Sequence, residues 1–235
     1  MEVLLRSNET EVELRAEGDA KHITGVAAVY YDGTRATEFV LDPGGQGRRK
    51  VVERILPGAF DRVIRESNVN DTRALFNHNS DHLLGRRSSG TLKIENTPRG
   101  LSYSIPYDES DPDHQRVASK MKRGDLKGSS FAFTVGDKGM ERKIEGDVGV
   151  VEIRGVEKLY DVGPVTFPAY SGTDAGLRGH DPEKELKQFR DWEDEQQAAG
   201  AMQRQAEQAA EVLAKANALA DELATLEARA KLAAM

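Results

Sequence analysis

The feature that most constrains the fold is a change in sequence character near His180. Before this residue, short runs of β-favouring residues alternate with Gly, Pro, Asn and Asp, and after it Ala, Glu, Gln, Lys and Leu dominate. The first pattern is typical of strands joined by turns, and the second is typical of helix. The sequence therefore predicts a strand-rich domain over residues 1–180 and a helical tail over residues 181–235.

Eight segments of the first domain have the composition of strands. They are Ile23–Tyr31, Val51–Leu56, Ala74–Asn77, Thr91–Glu95, Leu101–Ile105, Ser130–Val135, Val150–Glu157 and Lys158–Phe167. Two short helices are predicted between them, one entered at Pro57 and covering Ala59–Arg65, the other opening at Asp111 and closing at Gly124. Many short strands with few helices predict an α+β fold, a mainly antiparallel β-barrel with helices packed outside it.

The tail is predicted to be helical, with a break or kink near Gly200. Its apolar residues repeat with alternating four- and three-residue steps, the spacing of a coiled-coil seam. The residues of this seam are Val212, Ala216, Leu219, Leu223, Leu226 and Ala230. Two interpretations stay open: a solvated helix tethered to the domain, or a helix that forms a homo-oligomer or contacts a scaffold.

Charge and cysteine content argue against several classes of function. The chain has 33 Lys and Arg against 40 Asp and Glu, a formal net charge of −7, and no basic stretch that would suit nucleic acid. It has no long apolar run, and Met1 to Arg15 lack a signal-peptide core, so we expect a cytoplasmic protein that does not contact membranes. Because cysteine is absent, covalent catalysis would have to use oxygen or lysine.

Three short segments carry candidate catalytic side chains. His78 ends the run LFNH, Ser130 lies in GSSFAFTV, and Asp161 lies in LYDVGPVTFPAY. A base, a nucleophile and an orienting acid are the minimum needed to activate a hydroxyl for acyl transfer. The order His, Ser, acid differs from that of the α/β-hydrolases, and the chain has no GxSxG motif, which makes a general esterase a weaker interpretation.

Other residues compete for two of these roles. Ser129 is next to Ser130, but strand alternation would place it on the face of Phe131, away from Ser130. Glu152 and Glu157 are alternative acids on the same extended stretch as Asp161. The residues alone leave these alternatives open.

His82 competes with His78 but precedes Leu83 and looks like a turn residue. His78 and His82 have the spacing of two metal ligands on a helix. The intervening residues 79–81 are Asn, Ser and Asp, which favour a loop, so we expect neither a metal site nor a cofactor.

Seven segments, taken together and in this order, resemble the prohead maturation proteases of tailed phages. They are VVERILPGAF (51–60), LFNH (75–78), GR (85–86), GTL (90–92), GL (100–101), GSSFAF (128–133) and DVGPVTFPAY (161–170). The resemblance covers roughly residues 25–175. Ala132 stands where the family commonly has glycine, and Gly163 where it commonly has serine. Neither difference removes a candidate catalytic side chain.

The resemblance implies a serine endopeptidase that assembles inside the immature capsid and degrades scaffold before DNA packaging. It implies the major capsid protein precursor and scaffold as partners, the bacterial host cytoplasm as location, and a fold similar to the herpesvirus assembly proteases, a β-barrel ringed by helices. His78 matches the motif histidine and Ser130 the nucleophile. Asp161 falls on the strand where the herpesvirus relatives carry their third catalytic residue, a histidine, and an acid there fits the phage family, so the resemblance implies Asp161 as the third catalytic residue.

The resemblance also suggests roles for two further parts of the chain. The turn from Pro168 to Gly172 would lie near the catalytic face and supply an oxyanion site, with N–H donors from Ala169 to Gly172 because proline has none. Glu53 would be structural, holding the strand before Pro57. A different class of function stays open, a non-catalytic capsid assembly or scaffolding protein that retains a protease-like domain, although the intact set of three candidate residues favours the enzyme.

Overall fold

The computed structural model describes residues 3–8, 12–17, 20–45, 47–66, 71–168 and 182–233. The chain divides into two compact units, Met1–Pro182 and Glu183–Met235. Within the described residues, the first unit contains thirteen strands and two α-helices, and the second is one helix. The mixed α+β class, with mostly strands and a C-terminal helix, is thus confirmed.

The elements are numbered in chain order. The strands are β1 (Leu4–Asn8), β2 (Glu13–Glu17), β3 (Ala20–Val29), β4 (Phe39–Asp42), β5 (Lys50–Ile55), β6 (Arg73–Leu75), β7 (Leu83–Arg86), β8 (Lys93–Asn96), β9 (Gly100–Pro106), β10 (Gly128–Thr134), β11 (Met140–Glu145), β12 (Val148–Ile153) and β13 (Lys158–Val165). The α-helices are α1 (Asp61–Arg65), α2 (Pro112–Lys122) and α3 (Pro182–Ala233).

The strands form three sheets. The first has the order β1-β10-β13-β6-β7, the second β11-β12-β5-β4, and the third β2-β3-β9-β8. Within the described residues the pairing is antiparallel except between β12 and β5 and between β13 and β6. Each sheet has two edge strands in this part of the chain, so the predicted closed barrel is not confirmed.

The eight predicted strands correspond to strands of the structure, with shifted ends. One correction concerns Ala74–Asn77, because β6 ends at Leu75 and a 3-10 turn over Phe76–His78 follows. The sequence analysis missed β1, β2, β4, β7 and β11, and every one of these lies at the edge of its sheet. An edge strand is short and partly exposed, so it lacks the apolar run or clean alternation that reveals a central strand.

A buried aromatic cluster fixes which face of β10 points into the core. The rings of Phe131 and Phe133 stack with centroids 4.8 Å apart, and Phe60, just before α1, packs edge-on against Phe131 at 5.7 Å. All three side chains are fully buried. Burial of each such side chain contributes about 1.5–3 kcal/mol, so this face of β10 stays in the core and Ser130 takes the opposite face.

A buried ion pair joins the first sheet to the second. Arg6 on β1 donates from Nε to Glu53 Oε1 at 2.6 Å and from Nη2 to Oε2 at 2.7 Å, and both side chains are almost fully buried. Removal of one partner would leave an uncompensated buried charge, which costs about 3–5 kcal/mol. This contact is consistent with the structural role predicted for Glu53.

Helix α2 begins and ends where its sequence signals predict. Asp111 is the N-cap and its carboxylate accepts the backbone N–H groups of Asp113 and His114, while Pro112 occupies the first turn. Gly124 follows the helix with φ of 77°, a conformation that glycine adopts at little cost. This helix is set by local chemistry, and its prediction is confirmed.

The tail forms one continuous helix through Gly200, so the predicted break at that residue is wrong. A helical glycine costs about 1 kcal/mol relative to alanine, and the surrounding residues are mostly strong helix formers. Pairs four residues apart, such as Lys187 with Asp191 and Lys215 with Glu211, add support along the helix. Val212 and Leu219 of the predicted seam are exposed. None of the helices in the described part of the chain has the length and apolar character needed to cross a membrane.

Candidate active site

The turn that carries His78 has an unusual backbone. After β6, Phe76 is buried, and its N–H donates to the carbonyl oxygen of His82 at 3.1 Å, which closes the turn. Asn77 and His78 both have φ of 55°, the left-handed region in which non-glycine residues are uncommon and asparagine and histidine are enriched. This backbone directs the imidazole of His78 back towards the sheet.

Pairing between β10 and β13 puts Ser130 and Asp161 on the same face. Ser130 is opposite Gly163, and Ala132 is opposite Asp161. The register shifts immediately beyond this pair, where Phe133 lies opposite Leu159, so Tyr160 is the extra residue of a bulge. Because directly opposed residues project to the same side of a sheet, Asp161 shares the face of Ser130 and Ala132.

The structure brings together the three residues proposed from the sequence. Ser130 Oγ lies 2.6 Å from His78 Nε2, and His78 Nδ1 lies 2.5 Å from Asp161 Oδ1. An ionised carboxylate only accepts hydrogen bonds, so in a neutral imidazole Nδ1 carries the hydrogen and Nε2 offers its lone pair to the serine hydroxyl. The side chains of His78 and Asp161 are each 11% exposed, and Ser130 is fully buried.

Ser130 has a second partner that the sequence analysis missed. Its Oγ also donates to the backbone carbonyl oxygen of Arg6 at 2.8 Å. A hydroxyl has one hydrogen, so it donates either to Arg6 O or to His78 Nε2 at any moment. The sequence did not indicate this contact, because Arg6 lies on β1 and the sequence pattern of β1 does not predict a strand.

The neighbouring serine has a different environment. Ser129 is buried on the core face, and its Oγ lies 3.0 Å from the hydroxyl of Tyr103. Burial raises the pKa of Tyr103 above its usual value, so the phenol stays neutral and suits a hydrogen bond between two hydroxyls. The structure thus pairs His78 with Ser130 and places Ser129 in the core.

The alternative acids lie in other surroundings. Glu152 is on β12 in the second sheet and forms ion pairs with Lys143 at 2.6 Å and Arg154 at 2.8 Å. Burial opposes its ionisation, but these two cations lower the pKa of Glu152 below its usual value. Glu157 precedes β13, where its N–H donates to the carbonyl oxygen of Thr134 at 2.8 Å.

The described contacts of the His82 side chain are with residues other than the three candidates. Its Nδ1 is 3.1 Å from Asp113 Oδ1, at the start of α2. Within the residues that the structure describes, no three or more His, Cys, Asp or Glu side chains are grouped so that they could hold a metal ion.

Two glycines allow close approaches around the site. A Cβ at Gly163 would lie 2.1 Å from the carbonyl oxygen of Leu75, so any side chain there would push β6 and the His78 turn away from β13. Gly128 lies on β10, two residues before Ser130. A Cβ at this position would lie 2.9 Å from the ring of Pro168, which places that proline beside β10. The predicted oxyanion donors from Ala169 to Gly172 lie outside the described residues.

The chain matches a known protein family and is similar to a solved structure. The family described as Caudovirus prohead serine protease matches residues 9–187. Among solved structures, the capsid assembly protease gp21 of bacteriophage T4 is similar to the chain, with a TM-score of 0.39 and 9% sequence identity over 71% of this chain and 98% of the T4 protein. Curated protein sequences contain no match.

Proposed function

The chain belongs to the Caudovirus prohead serine protease family, and on this premise we propose that it is a serine endopeptidase that cleaves scaffold or capsid precursor protein during prohead maturation. The observation that carries the proposal is the continuous hydrogen-bonded series from Ser130 through His78 to Asp161. The proposal includes cleavage of the chain itself. Its setting is the assembling prohead in the bacterial host, and the partners are the capsid protein precursor and scaffold.

The geometry supports a two-step acyl transfer. Ser130 Oγ attacks the carbonyl carbon of the scissile peptide bond while His78 Nε2 takes its proton, and Asp161 stabilises the resulting imidazolium at Nδ1. The tetrahedral intermediate collapses when His78 returns this proton to the leaving amine, which leaves an acyl-serine. Water then attacks the ester carbonyl carbon while His78 takes one of its protons, and His78 gives this proton to Ser130 Oγ as the ester bond breaks and the acid product leaves.

The carbonyl oxygen of Arg6 matters for the first step. Attack requires that Ser130 donate its hydrogen to His78 Nε2, and Arg6 O at 2.8 Å is the competing acceptor. The negative charge that develops on the substrate oxygen needs donors near Ser130. We propose that backbone N–H groups between Ala169 and Gly172 supply these donors, since the described residue just before them, Pro168, has its ring 2.9 Å from where a Cβ of Gly128 on β10 would lie.

A closed barrel like that of the herpesvirus assembly proteases is part of the same proposal. Its support is hydrogen bonding that crosses from one sheet to another. Asn8 Nδ2 on β1 donates to the carbonyl oxygen of Ala27 on β3 at 2.7 Å. Tyr31 N–H, just beyond β3, donates to the carbonyl oxygen of Ile55 on β5, also at 2.7 Å.

The test is incubation of the purified chain with its cognate capsid precursor, with mass spectrometry of the new chain ends. A fluorophosphonate probe, which reacts with activated serines, is expected to modify Ser130 in the wild type. The matched control is Ser130→Ala, which should leave both precursor and chain intact. If the precursor stays whole and the probe leaves Ser130 unmodified, the non-catalytic scaffolding function replaces the enzyme.

We also propose that the tail forms homo-oligomers through its apolar seam, because the exposed Val212 and Leu219 need a partner surface. Deletion of the chain after Pro182 is expected to leave the core folded and able to cleave a peptide, while self-association falls. Light scattering after size exclusion measures the association, and circular dichroism measures the fold.

Two charge-matched variants sharpen the tail experiment. Val212→Asp with Leu219→Asp places two negative charges on the seam, whereas Ala214→Asp with Asn217→Asp places two on other faces of the helix. The first pair should weaken self-association and the second should not. Equal effects of the two pairs, or a truncated chain that fails to fold, would contradict the proposal.

A further inference from the structure

We infer that Asn77 and Thr166 act as positioning residues, whose paired hydrogen bonds hold the left-handed turn that presents His78 to Ser130 and Asp161. This inference rests on the proposed function, and it assigns roles to two side chains outside the three proposed catalytic residues. It is carried by hydrogen-bond geometry and by the backbone conformation of the turn.

The contacts between the two residues are reciprocal. The backbone N–H of Thr166 donates to Asn77 Oδ1 at 2.7 Å, and Asn77 Nδ2 donates to Thr166 Oγ1 at 3.0 Å. A backbone N–H can only donate, so the carboxamide oxygen must face it and the amide nitrogen must face the hydroxyl. Thr166 follows the end of β13, the strand that carries Asp161. The two bonds therefore connect the His78 turn to the strand of the proposed orienting acid.

The backbone of the turn needs such a restraint. Two consecutive non-glycine residues, Asn77 and His78, occupy the left-handed region. Residues in this sparsely populated region persist when surrounding contacts hold them there. Rotation of either residue to the extended or right-handed region would swing the imidazole away from Ser130. The side-chain hydrogen bonds of Asn77 restrain the backbone of the residue that directly precedes His78.

The location of the pair favours positioning over a role in the stability of the fold. Asn77 is half-buried and Thr166 is exposed, so neither side chain contributes a large apolar area to the core. The His78 turn and β13 are connected twice, through His78 with Asp161 and through Asn77 with Thr166. Without the second connection, the turn keeps its own backbone hydrogen bonds, such as that from Phe76 N–H to the carbonyl oxygen of His82, but loses the contact that fixes Asn77 to the end of β13.

The decisive variant is Asn77→Gly, because glycine accepts the positive φ and removes both side-chain bonds. We expect kcat to fall about 10- to 100-fold, as displacements near 1 Å do in other enzymes, with KM and the melting temperature close to the wild type. Thr166→Val removes one bond and should lower kcat less. Asn79→Ala is the matched control, since Asn79 Oδ1 accepts only a local bond from the N–H of Asp81 among its described hydrogen bonds.

A second measurement separates this inference from the proposed function. The Nδ1–H proton of His78, hydrogen-bonded to Asp161, should give a downfield proton resonance in the wild type and in Ser130→Ala. Asn77→Gly should broaden or lose it, whether or not the chain cleaves peptides. If the fluorophosphonate probe fails to label wild-type Ser130, the proposed function fails, and this resonance still decides the role of Asn77.

Three results would overturn the inference. The first is an unchanged resonance together with an unchanged kcat in Asn77→Gly. The second is an equal loss in Asn79→Ala. The third is a loss of kcat that follows a loss of folded protein, which would make Asn77 a stability residue.

Discussion

Ser130→Ala is expected to lower kcat about 10⁶-fold, the scale on which serine proteases depend on their nucleophile. The methyl group cannot attack a carbonyl carbon, so no acyl-serine forms, and residual turnover would come from substrate binding and oxyanion donors. Because a nucleophile and its general base act as one unit, the proposed roles predict that the double variant Ser130→Ala with His78→Ala loses little more than either single variant. Steady-state cleavage of a peptide by the three proteins measures this.

Ser129→Ala is the matched control for the nucleophile. It removes a hydroxyl one residue away, and it leaves the buried hydroxyl of Tyr103 without its partner, at a cost of about 1–3 kcal/mol. We therefore expect Ser129→Ala to be less stable in urea and yet active. Near-normal cleavage by Ser130→Ala together with an inactive, folded Ser129→Ala would transfer the role of nucleophile to Ser129.

Asp161→Asn is expected to fold normally and to lose about two to four orders of magnitude in kcat. Asparagine can turn its NH₂ group towards His78 Nδ1, which then accepts, so the ring hydrogen moves to Nε2. In that tautomer Nε2 has no lone pair for the proton of Ser130. Peptide cleavage together with circular dichroism measures both parts of this expectation.

Glu152→Gln and Glu157→Gln are the controls for the acid. Glu152 is paired with Lys143 and Arg154 in the second sheet, so its replacement should affect stability more than cleavage. If one of these variants loses activity while Asp161→Asn keeps it, the assignment of the acid is wrong.

Parts of the site could be predicted because they depend on local chemistry. Alternation along GSSFAF separates Phe131 and Phe133 from Ser130, and burial of two aromatic rings leaves the serine on the opposite face. The cap at Asp111 and the proline after it set the start of α2 in the same way. Central strands were predictable because burial of one face, as in β9, or of both faces, as in β10, makes apolar alternation or an apolar run visible in the sequence.

Gly200 shows where local propensity misleads. Its cost within a helix is about 1 kcal/mol, and neighbouring residues over several turns outweigh it. The edge strands show the opposite case: β1 reads Leu-Leu-Arg-Ser-Asn, which is too short and too mixed to predict a strand, and its pairing with β10 and the buried Arg6–Glu53 pair are contacts distant in the chain.

The sequence by itself determined the strand-rich domain, the helical tail and three candidate catalytic residues in chain order. Only the tertiary structure decided that Asp161, rather than Glu152, meets His78, because that choice depends on the register of β10 with β13. The same holds for the Arg6 carbonyl beside Ser130 and for the left-handed turn at Asn77. Alternation and capping act over a few residues, whereas register and strained turns are held by contacts between segments far apart in the chain.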